Sequence, residues 1–262
     1  MHKILKKLDT GVIIDITRLV DMQMQGRLPT GVDRVSLEYV KYFSHRAFGL
    51  IRYARQWIEL SEKDSELVFN ALLIPDTSFN FLIKKVVFKS LVYGPFRQSH
   101  TKSVSRVLFH TGHSGLEKLN YGHRLKQFDC RPFFFIHDLI PLTYPEYCRP
   151  GEAERHRVRI DTMLSLGHGI IANSATTLNV LMSYADDNNL PMPPSVVALL
   201  APAHLPLPSV NVPLDKPYFV MLGTIEPRKN HWMVLHLWRQ LIESLGEKAP
   251  SLVIIGIRRW ED

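Results

Sequence analysis

The chain has 262 residues, 45% hydrophobic and 22% charged, with a mean hydropathy near zero. That composition excludes a disordered chain, a collagen-like repeat and a disulfide scaffold, and it leaves room for one large domain or two modest ones. The formal charge of +7, with twelve histidines besides, favours anionic partners without choosing among nucleic acid, anionic lipid and phosphorylated small molecules.

The opening residues Met1 to Lys7 are basic but lack a continuous apolar core and a small-residue cleavage site, so no signal peptide is read. No apolar run reaches the ~20 residues that a spanning helix needs. Cys130 and Cys148 have neither CxxC nor zinc-finger spacing, and they fit two unpaired thiols in a reducing cytoplasm.

Gly11 to Ile16 is a short apolar run rich in β-branched residues, read as a buried strand. The segment Gly26-Arg-Leu-Pro-Thr-Gly31 follows it. Its glycines would let backbone approach a ligand, although it has neither GxGxxG nor a GK[ST] ending, and a plain connector is the other reading. Val32, Val35, Tyr39, Tyr42 and Phe43 then recur at helical spacing. Leu50 to Trp57 reads as a strand. Between Thr77 and Leu116 there is no Asp or Glu, while Lys84, Lys85, Lys89, Arg97, Lys102 and Arg106 are all present. Within that stretch Phe79 to Tyr93 is apolar nearly all round, with its lysines on about one face. It fits either an anionic membrane surface that receives a lipid-linked substrate, or a core helix with snorkelling lysines.

Val107 to His110 is a further strand. His110-Thr-Gly-His113 has HxxH spacing but neither HExxH nor a nameable third ligand, so no metal site is expected. Gly112-His-Ser-Gly115 is followed by Leu116, where a nucleophile elbow needs glycine. Phe133 to Ile136 is a buried strand that sets His137 and Asp138 at its carboxyl end. There an imidazole can hydrogen-bond a sugar hydroxyl or move a proton, or be satisfied inside the fold. Helix Glu152 to Leu166, strand Gly169 to Ala172, helix Thr176 to Ala185 and strand Val196 to Leu200 follow. Strands without clean alternation, separated by helices, predict an α/β doubly wound fold around a parallel sheet.

Residues 202–217 carry five prolines and read as a linker between a first domain, 1–201, and a second that starts at 218. Tyr218 to Leu222 and Ser251 to Ile255 read as strands around a helix with Val234, Leu237, Trp238, Leu241 and Leu245 on one face. One βαβ unit is too short for a two-layer core, so 218–262 is expected to be the start of an incomplete second domain. In Gly223-Thr-Ile-Glu-Pro-Arg-Lys-Asn-His231, between strand and helix, Asn230 suits the N-cap. Arg228 and Lys229 would add two charges beside a bound diphosphate, or be surface cations of a solvated turn.

Taken in order, residues 10–18, Thr30-Gly-Val-Asp-Arg-Val35, His137-Asp-Leu-Ile-Pro-Leu142 with Tyr144-Pro-Glu-Tyr147, Ile171-Ala-Asn-Ser174 and the Gly223–His231 segment resemble retaining glycosyltransferases of family 4. The resemblance implies the GT-B fold of two facing Rossmann-like domains and transfer of a sugar from a nucleotide-sugar to a hydroxyl acceptor with retention. No metal or separate cofactor is implied. Arg228 and Lys229, in the loop that opens with Gly223 and Thr224, match the pair that neutralises the leaving diphosphate. Gly31 matches the glycine of the first-domain loop lining the cleft, His137 the histidine that contacts the donor sugar, and Ser174 a cleft-side turn. Relatives with this Glu-Pro-Arg-Lys-Asn form often serve bacterial surface polysaccharide synthesis, with GDP-mannose a common donor. The family's two glutamates, separated by seven residues deep in the second domain, would lie beyond Asp262, so the resemblance implies a C-terminally truncated member. The partners expected are a nucleotide-sugar, a glycan or lipid-linked acceptor and peripheral anionic membrane, with no nucleic acid. A non-catalytic binding or assembly subunit for an anionic or lipid-linked acceptor is the alternative.

Overall fold

The computed structural model describes residues 11–54, 56–93, 106–202, 214 and 216–257. The basic residues Arg97 and Lys102 and most of the proline-rich linker lie outside them. The chain divides into two compact units, Met1–Leu139 with Arg157–Leu200, and Ile140–His156 with Ala201–Asp262. The sequence led us to expect one division at the linker; the structure also groups Ile140–His156 with the second unit.

The first unit is a Rossmann-like mixed α/β domain. Its strands are β1 (Val12–Asp15), β2 (Ala47–Tyr53), β3 (Gln56–Glu59), β4 (Val107–His110), β5 (Arg131–Ile136), β6 (Gly169–Ala172) and β7 (Ser195–Val197). They form one sheet in the order β3-β2-β1-β4-β5-β6-β7. All neighbours are parallel except β2 and β3, which are antiparallel. β1 and β6 are buried along their whole length, as strands covered by helices on both faces must be.

The helices of this unit are α1 (Thr17–Met24), α2 (Gly31–Phe43), α3 (Glu62–Leu73), α4 (Phe79–Tyr93), α5 (Tyr121–Phe128) and α8 (Ala175–Asp187). α6 (Ile140–Thr143) belongs to the second unit, and α7 (Glu152–Leu166) runs from the second unit into the first. α2 seats Tyr39 and Phe43 on Phe109 of β4, with ring centroids 5.5 and 5.3 Å apart, and Phe109 stacks towards Phe133 of β5. α4 sends Phe79, Ile83, Val86 and Val87 into the core with Val68, Phe69 and Leu72 of α3. Among the described residues no helix is long and apolar enough to cross a membrane.

Two expectations are corrected. Leu50 to Trp57 is not one strand: the chain turns back at Ala54, whose φ of 46° is left-handed, and Arg52 pairs with Trp57 across a hairpin. The Gly26–Gly31 segment does not follow the first strand directly, because α1 intervenes.

In the second unit β8 (Tyr218–Leu222) and β9 (Ser251–Ile255) pair in parallel, and α9 (His231–Leu245) connects them. Trp238 anchors the helix, donating its indole N–H to the Pro250 carbonyl at 2.8 Å and meeting Phe219 edge-on. No residue of α9 is fully buried, and Phe219, Leu222 and Trp232 are largely exposed. An apolar face left uncovered is what one βαβ unit predicts.

Candidate functional site

The strand order reverses between β1 and β4. From β1 the chain proceeds outward to β2, then returns to the other side at β4. In open parallel sheets ligands bind beyond the carboxyl ends of strands at such a reversal. There the first turn of α1, just after β1, supplies Arg18 and the loop after β4 supplies Gly112. A Cβ at Gly112 would stand 3.2 Å from the Arg18 side chain.

Arg18 reaches Asp33 of α2 with Nε at 2.7 Å and Nη2 at 3.3 Å. Asp33 also accepts from the Thr30 backbone N–H at 2.9 Å and from its hydroxyl at 2.6 Å. Burial alone would raise the Asp33 carboxyl; these donors outweigh it and hold the group below its ordinary value. The start of α2 is therefore fixed by charge. Gly31, its first residue, is exposed, and an added methyl would touch nothing. Internal packing does not demand glycine there.

His137 follows β5 and is buried. Its Nε2 lies 2.8 Å from the Thr111 carbonyl. A carbonyl only accepts, so Nε2 carries the proton and Nδ1 keeps its lone pair. Burial draws its pKa below the ordinary value, only partly opposed by the Thr111 bond, so the ring is neutral at pH 7. Its backbone is held from α8: the Ser174 hydroxyl donates to Thr177 Oγ1 at 3.0 Å, which donates to Asn173 Oδ1 at 2.8 Å, and Asn173 Nδ2 donates to the His137 carbonyl at 2.8 Å. Ser174 also caps α8 by accepting from the Thr177 N–H. Ser174, expected at a cleft-side turn, is also a cap and a strut.

A buried polar network at the same edge was not foreseen. Asp15, closing β1, lies 2.7 Å from Arg52 Nε as an ion pair off the hydrogen-bond line, and accepts from the Thr17 N–H at 3.0 Å. Arg52 Nη2 donates to the Ser114 carbonyl at 2.6 Å. Gly115, at φ +81°, leaves room for that guanidinium, since a Cβ would stand 2.1 Å from it. His110 Nδ1 is 2.9 Å from the Tyr121 hydroxyl and 3.5 Å from Asp15. Burial opposes the Asp15 charge, but Arg52, His110 and Thr17 prevail and keep its pKa low. Burial takes His110 down to about 4, with Asp15 opposing. The one signal in the sequence was a carboxylate inside an apolar strand. His113 Nε2 faces the Phe135 carbonyl at 3.2 Å, so the two histidines of the HxxH pattern turn to different partners.

In the second unit the loop after β8 begins at Gly223, whose N–H donates to the Ile255 carbonyl at 3.0 Å. A Cβ at Gly256 would come within 1.8 Å of the Gly223 carbonyl oxygen, so these two loops approach as closely as backbone allows. Thr224 follows, half-buried. Pro227–Lys229 forms one 3-10 turn, and Asn230, left-handed at φ 51°, caps α9 by accepting from the Met233 N–H at 3.3 Å. Arg228 and Lys229 thus sit just before the N-terminus of α9, at the carboxyl end of β8. Arg228 and Lys229 are both exposed, and Arg228 pairs through Nε with the carboxylate of Glu226 at 2.5 Å.

Cys130 and Cys148 form no disulfide, and burial pushes the Cys130 thiol up to about 12.

No protein-family profile matches the chain. It is similar to three Escherichia coli proteins, each a serotype-specific mannosyltransferase WbdA, at 25%, 25% and 24% identity over 147, 147 and 143 residues. The similarity covers 48% of this chain and 17% of each of those proteins. What the chain resembles over about half its length is a mannosyltransferase.

Proposed function

We propose that the chain belongs to a glycosyltransferase of polysaccharide synthesis, which moves a sugar from a nucleotide-sugar to a hydroxyl acceptor with retention of anomeric configuration. The observation that carries this reading is the similarity to mannosyltransferases. The sheet edge of the first unit supports it.

The roles divide by charge. In the second unit Arg228 and Lys229 neutralise the leaving diphosphate, helped by the partial positive charge at the start of α9. Glu226 pairs with Arg228 at Nε. The Gly223–Thr224 backbone allows close approach of the phosphates. In the first unit the unprotonated Nδ1 of neutral His137 accepts from a hydroxyl of the donor sugar, and Gly31 leaves space beside the α2 N-terminus. Ser174 acts through Asn173 on the His137 backbone. No metal enters the scheme, and the cytoplasm is the place where nucleotide-sugars would reach it.

Incubation with labelled GDP-mannose and other nucleotide-sugars tests the reading, with release of nucleoside diphosphate followed and the product anomer assigned by NMR. An α-linked product from an α-donor is expected. Release from no nucleotide-sugar, or an inverted product, contradicts transfer or retention respectively. His137→Ala is expected to lower turnover by roughly 10- to 100-fold, the worth of one buried hydrogen bond to substrate.

A further inference from the structure

We propose that the outer face of α4 is a docking surface for an anionic lipid bilayer. This is independent of the glycosyl-transfer reading.

The inner face of α4 is committed to the core through Phe79, Ile83, Val86 and Val87. Opposite it, Phe81 is 73% exposed and Phe88 69%, with Leu91 and Val92 also exposed. At 3.6 residues per turn Phe88, Phe81 and Val92 fall within about 40° of one another, forming one apolar stripe along the helix. Lys84 lies on one side of that stripe; Lys85 and Lys89 lie on the other. Lys89 is engaged with Asp64 at 2.9 Å. Lys84 and Lys85 are exposed, and no ion pair is found for either among the described residues.

A globular surface scatters single apolar side chains; it does not align two phenylalanines between lysines without use. A helix lying in a bilayer interface has this cross-section, with rings at the acyl boundary and ammonium groups reaching back to the phosphates on both flanks. Charge complementarity selects an anionic lipid surface. No acidic residue lies between Thr77 and Leu116, so the sequence around the stripe offers nothing that repels phosphate. The first unit buries the opposite face, so docking requires no unfolding.

Co-sedimentation of the chain with phosphatidylcholine vesicles, with and without phosphatidylglycerol, tests this. Binding is expected only where phosphatidylglycerol is present and should weaken with added salt. Lys84→Glu with Lys85→Glu, and Phe81→Ser with Phe88→Ser, should each weaken partitioning about tenfold or more. Leu119→Ser, at a fully exposed leucine away from α4, should leave it unchanged. Circular dichroism and thermal unfolding verify that each variant is folded. Equal binding to neutral vesicles, undiminished binding of either double variant, equal loss in Leu119→Ser, or no binding at all overturns the proposal. None of these results depends on turnover, so failure here and failure of the transferase reading are separable.

Discussion

His110 occupies a place where a proton is costly. Its folded pKa is about 4 against 6.5 for the free side chain, because burial outweighs the attraction of Asp15. Above pH 6.5 neither folded nor unfolded chain holds the proton. Between 6.5 and about 4 only the unfolded chain binds it, so stability falls as the pH falls, by up to on the order of 3 kcal/mol. His137 acts in the same direction. Asp15, with its lowered pKa, extends the loss as the pH falls further. Urea unfolding midpoints measured from pH 7 to 4 should show this decline, and His110→Asn should flatten it. A variant with the wild-type slope would remove His110 as its source. Ser174→Ala should cost about 1 kcal/mol through the lost cap of α8. If Ser174 instead touches substrate, turnover will fall far more than thermal stability does.

The N-terminus of α2 is the element on which the edge of the first unit depends. Asp33 gathers Arg18, the Thr30 N–H and the Thr30 hydroxyl on one buried carboxylate. Asp33→Ala leaves a guanidinium and a helix-end donor without their acceptor, and should cost roughly 2–4 kcal/mol in chemical denaturation. A cost below that of an ordinary surface substitution would contradict the packing described. Much at this scale was legible from the sequence. The apolar runs at Val12–Asp15, Phe133–Ile136 and Gly169–Ala172 announced central strands, and Asn230 announced a helix start because its side chain caps one. The hairpin was hidden because Ala54 takes a left-handed conformation without the glycine or asparagine that usually marks one. α1 was hidden because no side chain caps its start. The Asp15–Arg52–His110–Tyr121 network was half visible: the carboxylate in an apolar strand could be seen, but its partners come from three other elements that only the fold brings together. His137 at a strand end was legible; the proton on its Nε2 was not, since the Thr111 carbonyl decides it.

Over the whole molecule the two units differ in how their apolar surface is used. The first buries whole strands, whereas β8 is mostly exposed and α9 has no fully buried residue. Amides in β1, β5 and β6 should therefore exchange slowest by hydrogen-exchange mass spectrometry, with those in β8 and α9 exchanging by local opening. Uniform protection through both units would contradict this division. The net charge of +7 favours anionic partners, and four of the cations lie in two places: Lys84 and Lys85 on a helix face, Arg228 and Lys229 before a helix N-terminus.

In the proposed reaction Arg228 and Lys229 take up the negative charge of a departing nucleoside diphosphate. The direct measurement is the rate of nucleoside diphosphate release from a nucleotide-sugar by the unaltered protein and by Arg228→Ala with Lys229→Ala, folding being verified for both. A fall of at least about 100-fold is expected, as removal of charge stabilisation from a transition state produces. A double variant that turns over at the rate of the unaltered protein would contradict it.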